Sequence, residues 1–326
     1  MDRRRFLKTS ALASVGLAVP GARALVTGDA GARTVGRGSR GTGCLWGAYA
    51  EPRGDEDGRS AIVHLEQEIG RRLAISRHYV KWDDEFPSDL QAWTVQRGRI
   101  PYISWHTETN GGDAVPWSSI ADGDEDDWIR HQARSLRAAG YPMYFCFHHE
   151  PENDSVMGGS AEFVAAYDRI RDIFRSHRVR NLRWIVTLMA STYGGGNGGP
   201  ESWMPSSFRY CGVDGYNRYP CSGDSWRSFQ TLFHPAREFA VSRAKRLFVG
   251  EYGCSEQDAH GNTGGDPRAK AIWFREAGAT IKSWPEVKAA VYSHVFSAQF
   301  DCEYWVDTRR RSLNAFRDVG SDPYFE

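Results

Sequence analysis

The stretch Tyr141-Pro142-Met143-Tyr144-Phe145-Cys146-Phe147-His148-His149-Glu150 is a strand-like apolar run that closes on a carboxyl. About a hundred residues further on, Arg246-Leu247-Phe248-Val249-Gly250-Glu251 does the same. Where parallel strands close into a barrel, residues at the strand C-termini converge on one central mouth. The two glutamates therefore become informative once the rest of the chain is laid out around them.

Strand-like runs fall at 45–50, 73–80, 100–106, 142–149, 183–190, 212–217, 246–251 and 288–295. Helical patterns at 59–70, 87–97, 125–139, 160–177, 225–244 and 267–283 lie between them. Eight strands alternating with helices is the order of an α/β protein of one domain, a single (β/α)8 TIM barrel. The fifth connection is the weak one: 193–200 is mostly glycine, and only 201–208 leaves room for a short helix. That Gly-rich loop is expected over the mouth. The acidic run Asp122–Asp127 reads as the opening of a helix, where carboxylates suit the positive end of the dipole, rather than as a metal site.

Lys+Arg and Asp+Glu each number 41, so the net charge is zero. A chain without a single-sign field is not expected to take nucleic acid or an anionic membrane as its partner. Beyond the N-terminus no apolar run approaches the ~18 residues of a membrane helix. The 12 Trp residues instead suit flat, uncharged partners such as sugar rings. A monomer is expected. The N-terminus reads in three parts: Arg3-Arg4-Arg5-Phe6-Leu7-Lys8, an apolar stretch Ala11–Pro20, and Ala22-Arg23-Ala24. These are a basic region, a hydrophobic region and an A-x-A cleavage site. Arg3-Arg4 with Phe6-Leu7-Lys8 resembles a bacterial twin-arginine signal, with Asp2 where Ser or Thr is usual. The expected organisation is a signal peptide over 1–24, a Gly/Arg-rich linker over 25–43, and a catalytic barrel over 44–326 in an exported protein.

Six cysteines would then meet an oxidising compartment. Cys221, Cys254 and Cys302 each follow a strand at the same end of the barrel, and neighbouring strands make Cys221–Cys254 the expected bridge. Cys146 reads as a buried thiol. No C-x-x-C, H-E-x-x-H or P-loop pattern occurs, so no metal, redox cofactor or nucleotide is expected.

Cleavage of a glycosidic bond needs two carboxyls in unlike states, one protonated near neutrality and one ionised. Glu150 has Phe145, Phe147, His148 and His149 beside it, and apolar neighbours together with a second carboxylate raise a carboxyl pKa. Glu251 is flanked by Gly250 and Gly253, which leave space for a sugar ring. An acid/base Glu after strand four with a nucleophile Glu after strand seven resembles the 4/7 clan of retaining (β/α)8-barrel glycosidases. Within it, His149-Glu150, Val213-Asp214-Gly215-Tyr216-Asn217 and Gly250-Glu251-Tyr252-Gly253 resemble segments of glycoside hydrolase family 26. That family contains β-1,4-mannanases, with some β-1,3-1,4-glucanases and β-1,3-xylanases. The resemblance implies Glu150 as acid/base, Glu251 as nucleophile, Tyr216 donating to Glu251, and His149 orienting Glu150 or meeting sugar. Retention by double displacement implies carboxyls about 5–5.5 Å apart. The chain departs from the family in Pro151-Glu152-Asn153-Asp154 after Glu150. Strand eight ends Ser293-His294-Val295-Phe296 without the usual Trp, and Trp305 is next in line to supply a stacking surface.

Trp82, Trp105, His106 and Trp305 end or follow strands and are candidate sugar contacts, with packing an equal reading for each. Asn217 either meets a sugar hydroxyl or caps a turn. Alternation turns only one of His148 and His149 to the mouth. Glu152 reads as a solvated loop charge, Trp46 and Tyr49 as structural, and Arg309–Arg311 as a solvated turn before the last helix. Two classes of function stand: a retaining glycosidase on a β-linked polysaccharide, mannan first, or a non-catalytic carbohydrate-binding protein on the same barrel. The intact Glu150/Glu251 pair with Tyr216 favours the enzyme.

Overall fold

A computed structural model describes residues 43–326 except 222–224, 259, 264 and 267. The expected signal peptide, and the linker up to residue 42, lie outside the described residues. Eight parallel strands pair in chain order and close on themselves. They are β1 (Leu45–Ala50), β2 (Ile75–Val80), β3 (Ile100–Trp105), β4 (Met143–Phe147), β5 (Leu182–Met189), β6 (Tyr210–Asn217), β7 (Arg246–Cys254) and β8 (Val287–His294). β1 closes the barrel on β8 along its whole length, from Leu45 opposite Ala289 to Ala50 opposite His294. Around it run α1 (Gly58–Ile69), α2 (Asp89–Gln96), α3 (Trp117–Asp122), α4 (Asp126–Ala139), α5 (Ser160–Ser176), α6 (Ala190–Tyr193), α7 (Phe229–Ser242), α8 (Ala269–Ser283) and α9 (Arg310–Ser321). This is the (β/α)8 barrel expected from the sequence.

Side chains of the strands go two ways. Leu45, Ile75, Tyr102, Tyr144, Tyr210 and Phe248 fill the inside of the barrel. Trp46, Ile103, Phe145, Val213 and Val249 face outward into the shell shared with the helices. Burial on both faces is why these strands read as unbroken apolar runs. The acidic run does open a helix: Asp126 and Asp127 lie in the first turn of α4, and Asp126 pairs with Arg130 and Arg169. Gly140 ends that helix in the left-handed region, φ 70°, where a Cβ is unfavourable. Too short for a periodic pattern, the six-residue α3 is absent from the expected helices, and its Trp117 is wholly buried. The fifth connection is indeed thin, consisting of α6 and a single 3-10 turn at Pro200–Trp203. Trp203 fills the gap in the shell, 6.0 Å from the Phe163 ring and 6.3 Å from Trp117.

The floor of the barrel is sealed by the chain's last residues. Cys44 N donates to Tyr324 O at 3.0 Å, Glu326 N donates to Cys44 O at 2.9 Å, and Trp46 N donates to Glu326 O at 3.1 Å. At the other end, the disulfide joins Cys221 to Cys302, with Cα atoms 5.7 Å apart, and not to Cys254 as expected. Cys254 is the last residue of β7, wholly buried, with its thiol 3.3 Å from Asn217 Nδ2 and from Ser255 O. Its side chain is committed to strand packing. Cys221 lies on the loop after β6 and Cys302 on a small hairpin after β8, formed by β9 (Phe296–Ser297) and β10 (Cys302–Glu303), so both are free to approach. Among the described residues no helix is long and apolar enough to cross a membrane.

Candidate active site

Glu251 reaches the mouth through a β-bulge. Val213 of β6 faces Val249 of β7, but the next residue, Asp214, faces Glu251, so Gly250 is one residue too many. A bulge bends its strand and re-aims the side chains beyond it. A Cβ at Gly250 would come 2.6 Å from Asp214 Oδ1, which leaves glycine as the residue that fits. The Gly250 carbonyl accepts from Arg77 Nη1 at 2.7 Å.

Three donors from two other strands hold the Glu251 carboxylate. Tyr79 on β2 donates its hydroxyl to Oε1 at 2.9 Å, Arg77 Nη2 on β2 lies 2.8 Å from the same oxygen, and Tyr216 on β6 donates to Oε2. The Tyr216 hydroxyl is also 2.9 Å from Ser293 Oγ on β8. Arg77 is wholly buried, its guanidinium 4.7 Å from the ring centres of both Tyr79 and Tyr102, and Asp214 Oδ2 lies 3.6 Å away. Neither oxygen of Asp214 has a hydrogen-bond partner among the described residues. Burial, then the neighbouring Glu251, push its carboxyl well above the usual carboxylate range. One buried cation faces two buried carboxyls, and charge balances when Asp214 carries a proton.

Glu150 is presented differently. β4 ends at Phe147, and the chain continues through His148 at φ 45° and Glu150 at φ 51°. Non-glycine residues in this left-handed region cost about 1–3 kcal/mol each and persist where the surroundings impose them. Here Glu150 N donates to Thr187 O of β5 at 2.9 Å, keeping the segment in line with the barrel. Burial first, then Glu251 and Glu152, raise the Glu150 carboxyl to about 8. Among the described residues no side-chain or backbone donor bonds to its oxygens.

His149 faces the mouth, with Nδ1 2.7 Å from Ser104 Oγ and Nε2 3.8 Å from Glu251 Oε1. Burial, reinforced by Arg77, holds it well below the usual histidine range and so neutral. His148 turns away and is wholly buried, with Nδ1 2.8 Å from Thr107 Oγ1. His106 is partly exposed beside both, its ring centre 4.0 Å from His148 and 6.1 Å from His149.

The remaining sequence candidates divide. Trp105 is wholly buried and stacks on the buried Trp82, ring centres 4.3 Å apart, while Trp82 Nε1 donates to Glu125. These rings build the wall and offer no platform to a sugar. Asn217 is wholly buried, its Oδ1 accepting from Arg227 N at 3.0 Å and its Nδ2 directed at Cys254, so it braces a turn. Trp305 stays partly exposed near the mouth, but Arg53 lies 3.8 Å over its ring and His294 meets it edge-on. Glu152 is no solvated charge: Oε1 accepts from Met189 N at 2.6 Å and Thr192 Oγ1 at 2.7 Å, and burial raises its carboxyl to about 7. It ties the turn after Glu150 to the end of β5.

Sequence reasoning passed over Arg77, Tyr79 and Asp214. The signal for the first two was a charged residue inside the run 73–80, with a tyrosine two residues on and therefore on the same face. Asp214 lies inside the family-like segment 213–217, where nothing in the residue order marks its partner. Tyr49, taken as structural, packs edge-on against Tyr79 at 4.8 Å and belongs to the same wall of the mouth.

The fold and its paired carboxyls define a class, a (β/α)8 barrel with two glutamates at the C-terminal ends of strands four and seven. No family model matches the chain. Among solved structures, a family 26 β-mannanase from Bacteroides ovatus matches with a TM-score of 0.59 at 12% identity, covering 87% of this chain and 90% of its own. A Cellulomonas fimi endo-β-1,4-mannanase double mutant gives 0.60 at 15% identity, covering 87% and 72%. A β-mannanase from a symbiotic protist of the termite Reticulitermes speratus, complexed with a gluco-manno-oligosaccharide, gives 0.56 at 17% identity, covering 87% and 88%. The barrel is thus of the kind that the family resemblance implied. Among curated proteins, Endoglucanase H of Acetivibrio thermocellus is 25% identical over 286 residues, 82% of this chain. The chain spans only 29% of the length of that relative.

Proposed function

We propose that this protein is a retaining glycoside hydrolase acting on a β-linked polysaccharide, with β-1,4-mannan as its first substrate. The observation that carries this reading is the unlike treatment of two glutamates at one mouth. Glu150 is held with a raised pKa and a carboxyl that no donor among the described residues bonds, while Glu251 is fixed by two hydroxyls and a guanidinium. The first suits a general acid and the second a nucleophile.

Glu150 gives its proton to the leaving glycosidic oxygen as Glu251 attacks the anomeric carbon from the opposite face, forming a glycosyl ester. Esterified Glu251 has lost its negative charge, and that charge is the second largest cause of the raised Glu150 pKa. Glu150 therefore ionises more readily in the intermediate and takes a proton from the incoming water. Tyr79, Tyr216 and Arg77 keep Glu251 oriented for attack, and His149 lines the same pocket as a neutral donor. Export rests on the twin-arginine-like N-terminus.

A second substrate reading, a β-glucan, is favoured by the likeness to Endoglucanase H. Reducing-sugar release from mannan, lichenan and β-1,3-xylan, with Glu251→Ala as control, separates them. The anomer released first, followed by NMR, reports retention or inversion. A folded protein that releases nothing but is retained on one of the insoluble polymers would replace the enzyme with a carbohydrate-binding barrel.

A further inference from the structure

One group of side chains at the mouth is given no role in the mechanism proposed above. His106 follows β3, His148 follows β4, and Asp154 follows the short turn Pro151–Asn153. One donor atom from each lies within 4.8 Å of the other two. Asp154 Oδ2 is 3.4 Å from His148 Nε2 and 3.5 Å from His106 Nε2. Charge-assisted hydrogen bonds are shorter, about 2.7–2.9 Å. These two distances instead match two edges of a tetrahedron whose centre is ~2.0–2.1 Å from each vertex, an edge of about 3.3–3.4 Å.

A second observation points the same way. His148 is wholly buried, and its Nε2 reaches Asp154 Oδ2 only at 3.4 Å, outside good hydrogen-bond geometry, with no other bonded partner among the described residues. A buried imidazole nitrogen left unpaired beside a carboxylate calls for an explanation. Its other nitrogen approaches Thr107, at 2.8 Å from the hydroxyl and 3.3 Å from the backbone nitrogen. Here Thr107 N donates to Nδ1, and an ion on Nε2 would move the ring proton to Nδ1, from which the Thr107 hydroxyl can accept it. The His106 and Asp154 side chains stay 23% and 26% exposed, which supplies an entry path and an open fourth vertex.

We propose that His106, His148 and Asp154 form a binding site for one divalent transition-metal ion of the zinc class, with its fourth position open to water. Two imidazoles and a carboxylate are a ligand set suited to such borderline ions. A bound ion would clamp the end of β3 to the loop that follows Glu150. It takes no part in the glycosidic chemistry and departs from the sequence expectation of no metal.

The test uses the full chain, stripped with chelator, dialysed and titrated with zinc chloride by calorimetry. One equivalent should bind saturably and raise Tm, and cobalt(II) should give the intense visible absorption of tetrahedral coordination. Asp154→Asn keeps the side-chain size and removes the charge, and His106→Gln removes a partly exposed ligand. Each should weaken zinc binding by about tenfold or more. His148→Gln should do the same; if that buried change prevents folding, the other two variants decide. Absent saturable binding, or equal affinity in the parent, Asp154→Asn and His106→Gln, the proposal is wrong. None of these readouts depends on turnover, so they stand apart from the assay for glycosidase activity.

Discussion

Glu251 accepts from Tyr79 and Tyr216 and pairs with the Arg77 guanidinium, whereas no donor among the described residues bonds to the Glu150 carboxyl, although both glutamates serve the same mouth. The strands behind them differ in kind. β7 carries Glu251 through a bulge at Gly250 into a nest of donors rooted on β2 and β6. β4 stops short, and Glu150 is delivered by three residues, two of them with positive φ, that lean on β5 and on the tie made by Glu152. Burial raises the Glu150 carboxyl first, Glu251 and Glu152 raise it further, and strand geometry decides which groups reach Glu251.

That contrast can be broken at its strongest point first. Glu251→Gln should lower kcat by roughly 10⁴–10⁶-fold on any substrate, the scale seen when a nucleophile is removed. Glu150→Gln should cost about 10²–10⁴-fold on polymer, and much less on an aryl glycoside whose leaving group needs no proton. Equal losses on both substrates would remove Glu150 from the acid role. Arg77→Met leaves Glu251 and Asp214 without their buried cation. It should destabilise the fold by about 3–5 kcal/mol in urea titrations. Tyr79→Phe removes one hydrogen bond to a charged group, worth about 1.5–3 kcal/mol, and so about 10–100-fold in kcat/KM with little change in Tm.

The mildest test is a titration. The proposed acid role needs Glu150 protonated, so kcat/KM, measured with chelator present, should fall as pH rises through about 8. Glu152→Gln keeps the acceptor for Met189 and Thr192 but removes a charge that raises the Glu150 pKa. The alkaline limb should then move to lower pH. An unmoved limb would mean that Glu152 acts only as a tie.

Much of this arrangement is legible in residue order. Apolar runs ending on Glu150 and Glu251, and the alternation of strands and helices, depend on local pattern, and the barrel follows from them. What escaped notice depends on register. The bulge at Gly250 appears only when β6 and β7 are laid side by side, and with it the reason Asp214 faces Glu251. Trp82 and Trp105 end strands as a sugar platform would, but the direction of their rings is set by α4 and by each other. Cys254 fell to a similar cause, since a cysteine still inside a strand has no freedom to seek a partner. His106, His148 and Asp154 come from two strand ends and a loop, so no spacing in the chain marks them as a set.

The seam at the floor has a practical meaning. Cys44 and Trp46 are stitched to Tyr324 and Glu326, so both ends of the described chain leave from the side opposite the mouth. A tag, a tether or a neighbouring domain joined at the C-terminus would hang beneath the barrel. Anchored to a bead through its C-terminus, the protein would hold its cleft outward, open to a polymer too large to turn around.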